Sequence, residues 1–173
     1  MLISLADPSF VLLIGPSGSG KSTFARRHFR ATEVLSSDFC RALVCDDEAN
    51  QAATDDAFEL LHLIVLKRLQ RRRMTVIDAT NVQGTARRPL EIAAGKWGVP
   101  LVAIVFRLPE EICQQRNRQR AYRQVPVDVI QTQIRTLEES WEHLSEEGFD
   151  AIFTINDVAE ADLMMVARHP AYS

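Results

Sequence analysis

Two patterns of apolar residues alternate along this chain. Runs at 10–14, 75–77 and 101–108 have almost no polar interruption, as expected of strands covered on both faces of a sheet. Residues 33–36 and 151–155 read as further strands, the first ending in Ser37-Asp38. Between these runs the spacing is helical. Thr54, Asp55 and Asp56 start a long helix reaching about Arg73, with Phe58, Leu61, Val65 and Leu69 on one face. Val127, Ile130, Ile134, Leu137, Trp141 and Leu144 step by three and four along another, which begins near Asp128, and Gly148 ends that helical region. Shorter helices are expected at 23–29, 39–44, 85–96 and 159–167. Pro109-Glu110-Glu111 opens one more, through the arginine-rich segment 116–123 to a break at Val125-Pro126. Strands alternating with helices predict an α/β fold with a central, mostly parallel sheet of about five strands flanked by helices. No linker or internal repeat divides the series, so residues 1–173 read as one domain.

Composition narrows the function classes. With 46% hydrophobic residues, 25% charged residues and a net charge of -3, the chain has no broad electrostatic footprint for duplex nucleic acid. An enzyme acting on a chain end needs only a small basic patch, so local charge decides. The longest apolar stretch, 60–66, is too short to cross a bilayer, and Met1 to Leu5 lacks a basic leader, so a cytoplasmic location is expected. Cys40, Cys45 and Cys113 form no C-x-x-C pair, and His28, His62, His143 and His169 show no ligand spacing, which argues against zinc chemistry. No Ser-His-Asp arrangement is visible. Arg71-Arg72-Arg73 fits the C-terminus of a helix, where cations complement the dipole.

The candidate chemistry lies just after the strands. Residues 15–22 read Gly15-Pro16-Ser17-Gly18-Ser19-Gly20-Lys21-Ser22, the G-x-x-x-x-G-K-S phosphate loop. Its glycines let backbone N–H groups turn onto phosphates, Lys21 adds a cation, Ser22 a magnesium ligand, and Thr23 continues into a helix whose N-terminus favours the same anion. The chain is therefore expected to bind ATP with Mg2+. Asp38 and Arg41 are three apart and share a helical face: the carboxylate can take a proton from an acceptor hydroxyl, and the guanidinium can hold an acceptor phosphate. Asp78, after the third strand, is placed to hold magnesium through water; Thr80, Asn81 and Arg87 or Arg88 are candidates for acceptor contacts. Arg116 and Arg120, four apart, can clamp a polyphosphate from a lid near 114–127, with Arg118 and Arg123 on a solvated face.

These residues resemble the kinase module of the bacterial polynucleotide kinase-phosphatase family of RNA end-healing enzymes. The resemblance rests on GPSGSGKS (15–22), SSDFCRALV (36–44), DDAFELLH (55–62), TVIDATN (75–81), LPEEICQQRNRQR (108–120) and EEGFD (146–150). It implies a P-loop kinase fold with a helical lid, transferring the ATP γ-phosphate to the 5′-hydroxyl of RNA or DNA. Lys21 and Ser22 would serve the phosphates and magnesium, Asp38 would be the general base, Arg41 would hold the acceptor, and Arg116 and Arg120 would reach ATP from the lid. Family members carry phosphatase and nucleotidyltransferase modules as further partners; the chain has no D-x-D-x-T phosphatase signature, so it is expected to be an isolated module or part of a larger enzyme. Two alternatives use the same residues. One is a P-loop kinase of a small-molecule alcohol, such as a sugar acid or an antibiotic. The other is an ATP-dependent switch whose lid closes to form a partner surface without an acceptor reaction.

Overall fold

The apolar run Phe10–Ile14 lies at the centre of the protein, every one of its side chains fully buried. The computed structural model describes residues 1–121 and 124–171. Its elements are β1 (Leu2–Asp7), β2 (Phe10–Ile14), α1 (Lys21–His28), β3 (Val34–Ser36), α2 (Ser37–Cys45), α3 (Thr54–Gln70), β4 (Thr75–Asp78), α4 (Gly84–Trp97), β5 (Leu101–Phe106), α5 (Glu110–Arg118), α6 (Val127–Trp141), β6 (Ala151–Ile155), α7 (Val158–Leu163) and β7 (Met165–Pro170). Five strands pair in parallel in the order β3-β4-β2-β5-β6. This is the α/β fold of P-loop kinases that the alternating pattern predicts.

Successive side chains of a strand point to opposite faces, so the sheet has two cores. Phe10, Leu12 and Ile14 meet Leu61, Val65 and Leu69 of α3 and Leu90 of α4 on one face. Val11 and Leu13 meet Phe24 and Ala25 of α1, Cys113 of α5 and Ile130 of α6 on the other. The apolar stripe of α6 serves both, since its Leu137 belongs to the first core. No helix among the described residues is long and apolar enough to cross a membrane.

Register positions the site. Leu13 of β2 and Ser36 of β3 both align with Asp78 of β4. The segments that follow these three strands therefore emerge side by side at one edge of the sheet, beside the point where strand order reverses between β2 and β5.

Several boundaries differ from the sequence reading. The segment 159–167, expected as a helix, is helical only to Leu163; Met165–Pro170 turns into β7 and pairs in parallel with β1, a strand that the sequence reading leaves out. Ile3 and Leu5 face the core from β1, while Arg168 of β7 donates to both carboxylate oxygens of Glu33 at 2.8 and 2.7 Å. These long-range contacts override a weak local helix signal. Helix α5 stops at Arg118 instead of continuing through the arginine-rich segment, because the buried Asn117 carboxamide bonds both the N–H and the C=O of Val125 and turns the chain back. Arg123 and part of the proposed lid lie outside the described residues. Helix α3 ends at Gln70 and α6 at Trp141, each about one turn early; Trp141 lies under the Arg107 guanidinium, 4.6 Å from ring centroid to carbon.

Candidate active site

The phosphate loop leaves β2 at Gly15, whose N–H donates to Thr80 O at 2.9 Å, while Asn81 Nδ2 donates to Leu13 O at 2.8 Å. The segment after β4 thus braces the loop from beneath. Gly18 is required on two counts. Its φ is +83°, and a Cβ there would stand 2.1 Å from Cys113 O, so the loop lies directly against the backbone of α5. Gly20, also at positive φ, leads into α1 and would meet Arg116 Nη1 at 2.9 Å if it carried a Cβ.

Lys21 is buried at the first position of α1. Its Nζ donates to the carbonyls of Gly15 and Pro16, each at 2.8 Å, and to Ser19 Oγ at 3.3 Å. Burial drives its pKa down to about 8; Asp78 and Asp38 oppose that shift, and Arg120 adds to it. A carboxylate after β3, one at the end of β4 and an arginine beyond α5 therefore act on the same ammonium. Ser22 donates its hydroxyl to Asp78, whose carboxyl is pushed above its ordinary value by burial despite the opposing effects of Lys21 and Ser22. A hydroxyl beside a carboxylate suits Mg2+, which takes few protein ligands and keeps several waters. Among the described residues no cluster of three His, Cys, Asp or Glu side chains could hold a metal by itself.

At the end of β3 the Ser36 hydroxyl, and not Asp38, caps α2 by accepting from Phe39 N at 3.3 Å. Arg41 Nη1 donates to Asp38 Oδ1 at 2.6 Å and to Glu48 O at 2.9 Å. Arg41 is only 5% exposed, and its Nε is buried without a hydrogen-bond partner. The carboxylate and guanidinium that share a helical face in the sequence are therefore a bonded pair.

The α5–α6 pair closes the other side. Arg116 Nη1 points to Ser19 O at 3.5 Å; Arg120 is half-buried and Arg118 exposed, but Arg120 lies past the end of α5, so Arg116 and Arg120 do not share a helical face as their spacing predicts. Arg87, expected among the acceptor contacts, is fully buried. Its guanidinium donates to Asn81 O at 2.7 Å and to both carboxylate oxygens of Glu147, through Nε at 2.7 Å and through Nη2. That places it in the scaffold supporting Asn81, where no acceptor reaches it. Arg88 is exposed and pairs with Glu91. Thr80 is half-buried, its carbonyl taken by Gly15, and Asn81 is buried.

Two residues escape the sequence reading. Gln133 on α6 accepts from Ser17 N at 2.8 Å, and Glu147 holds Arg87. The only sequence signal for Gln133 is a polar position beside the apolar stripe, next to Ile134; Glu147 lies in the quoted segment 146–150 with no sign of its partner.

The Lys21 environment predicts a pH effect. Between about pH 8 and its unfolded value of 10.5, the folded protein holds fewer protons than the unfolded chain, so Lys21 contributes a stability that rises with pH across that window. A bound polyphosphate favours the ammonium. ATP binding at about pH 9 is therefore expected to take up a proton and to weaken as pH rises. Calorimetric titrations in two buffers of different ionisation enthalpy should show this uptake, and Lys21→Arg should abolish it.

A family model described as an AAA domain matches residues 10–143. No curated protein matches the sequence. Among solved structures, a gluconokinase from Sinorhizobium meliloti 1021 is 19% identical, with 88% of this chain and 84% of that chain covered and a TM-score of 0.53. Shikimate kinase from Acinetobacter baumannii in complex with shikimate is 21% identical, with 90% and 88% covered and a TM-score of 0.53. A chain of a Pnkp1/Rnl/Hen1 complex is 24% identical over 70% of this chain and 42% of its own length, with a TM-score of 0.55. At these identities the likeness is one of fold.

Proposed function

This chain belongs to the AAA domain family, and we propose that it uses its P-loop kinase fold to transfer the γ-phosphate of ATP to the 5′-hydroxyl end of RNA or DNA. The observation that carries this reading is the Asp38–Arg41 pair beside the phosphate loop. Burying a guanidinium costs free energy unless it has anionic partners, and Arg41, 5% exposed, has the Asp38 carboxylate as one. An acceptor bringing a phosphodiester beside its reacting hydroxyl would complete that set. A neutral alcohol would not, whereas a carboxylate-bearing alcohol such as gluconate or shikimate would also bring an anion, so transfer assays decide between the two.

In this reading the acceptor oxygen gives its proton to the Asp38 carboxylate as it bonds to the γ-phosphorus, and the bond from that phosphorus to the oxygen bridging the β-phosphate breaks. Lys21 with Arg116 and Arg120 neutralises charge on the transferring group, and the loop N–H groups hold the rest of the polyphosphate. Magnesium, when bound, would draw charge from the β- and γ-oxygens, with the Ser22 hydroxyl as ligand and Asp78 holding its water. Phosphatase and nucleotidyltransferase modules in a larger enzyme belong to the same proposal.

A kinase of a small-molecule alcohol is the second reading, favoured by likeness to gluconokinase and shikimate kinase over most of their lengths. Labelled γ-phosphate transfer separates the two. Incorporation into a 5′-hydroxyl oligonucleotide, absent from its 5′-phosphorylated form and weakening with salt, is expected. Labelling of gluconate or shikimate with none of the oligonucleotide would transfer the assignment to the second reading.

A further inference from the structure

We propose that Gln133 is a positioning residue of the nucleotide site, gripping the Pro16–Ser17 peptide unit from the side opposite Lys21. A trans peptide is planar, so its C=O and N–H point in opposite directions and turn together. On one side the Pro16 carbonyl accepts from Lys21 Nζ at 2.8 Å and from Ser19 N at 3.2 Å. On the other the Ser17 N–H donates to Gln133 Oε1 at 2.8 Å, across 116 residues of sequence. The plane is held at both ends.

This grip is part of a wider contact. Gln133 of α6 holds Ser17, the Cys113 carbonyl of α5 abuts Gly18, and Arg116 of α5 points at the Ser19 carbonyl. Three successive loop residues are thus seated on one helix pair. A polyphosphate in the loop competes with the Gly15 and Pro16 carbonyls for Lys21 Nζ. As Lys21 turns to the phosphate, the Pro16 side of the grip weakens and Gln133 becomes the stronger restraint. Without it the peptide plane can rotate, and the N–H groups downstream lose the orientation that suits an anion. Gln133 acts through the loop and touches no reacting atom.

The proposal rests on the nucleotide-binding part of the reading above and is independent of the acceptor, so its test uses Mg-ATP binding alone. Gln133→Met keeps side-chain length and removes the acceptor. It is expected to weaken Mg-ATP binding about five- to tenfold, the effect of one hydrogen bond, and to speed hydrogen exchange at the Ser17 amide. Gln133→Glu keeps an acceptor oxygen and should restore the protection of Ser17. Unchanged ATP affinity in a folded Gln133→Met protein overturns the proposal, as does weakened affinity with Ser17 exchange unchanged. Should Gln133→Met not fold, Gln133→Glu decides: a protected Ser17 amide supports the grip and a freely exchanging one refutes it.

Discussion

Asp38→Ala is expected to lose phosphoryl transfer by about 10²–10⁴-fold, the usual contribution of a positioned general base, while Mg-ATP binding stays close to wild type. The separation follows from the geometry. The loop N–H groups lie between β2 and α1 and Lys21 and Ser22 open α1, whereas Asp38 lies in the first turn of α2, after β3, and shares their space only because register sets the strand ends level. Removing the carboxylate also takes a partner from a buried guanidinium, since Arg41 Nη1 donates to Asp38 Oδ1 at 2.6 Å. Asp38→Asn is therefore the sharper variant. Its carboxamide oxygen still accepts from Arg41 but is a far poorer base. Single-turnover transfer and calorimetric ATP binding on both variants give the answer. Wild-type transfer in Asp38→Asn would remove Asp38 from the role of base, and loss of ATP binding in both would make it part of the nucleotide site.

The second large effect is on stability. Glu147→Ala is expected to cost about 3–5 kcal/mol, because it leaves the fully buried Arg87 without its counter-ion. Glu147 is itself 17% exposed, so the pair is sealed chiefly on the arginine side. Glu147→Gln retains an acceptor oxygen and should lose less. Urea unfolding measures both changes. The consequence should also reach the site: Arg87 holds the Asn81 carbonyl, and the Asn81 side chain holds Leu13 O at the mouth of the phosphate loop. A loss of ATP affinity smaller than the loss of stability is expected. A Glu147→Ala protein as stable as wild type would show that Arg87 finds water or another anion.

Much of the site is legible in the residues because its chemistry is local. The phosphate loop lies within eight successive positions, and the Asp38–Arg41 pair within one helical turn. The buried strands were equally readable, since a sheet covered on both faces demands uninterrupted apolar runs. Arg87 was misread for the opposite reason. An arginine beside Arg88 at the start of a helix looks like any surface cation, and only packing reveals that one turns inward to Glu147 while the other stays on the surface with Glu91.

By itself, then, the sequence determined most of the strand–helix series, the phosphate loop and the shared helical face of Asp38 and Arg41, because each depends on spacing along a few bonded residues. Tertiary structure decided the rest: the β1–β7 pairing that replaces an expected helix, the turn that ends α5 at Arg118, the Arg87–Glu147 pair across 60 residues and the Gln133 grip across 116. Such contacts join groups whose own neighbourhoods carry no sign of the partner. Packing selects them by burying donors and charges that must then be satisfied.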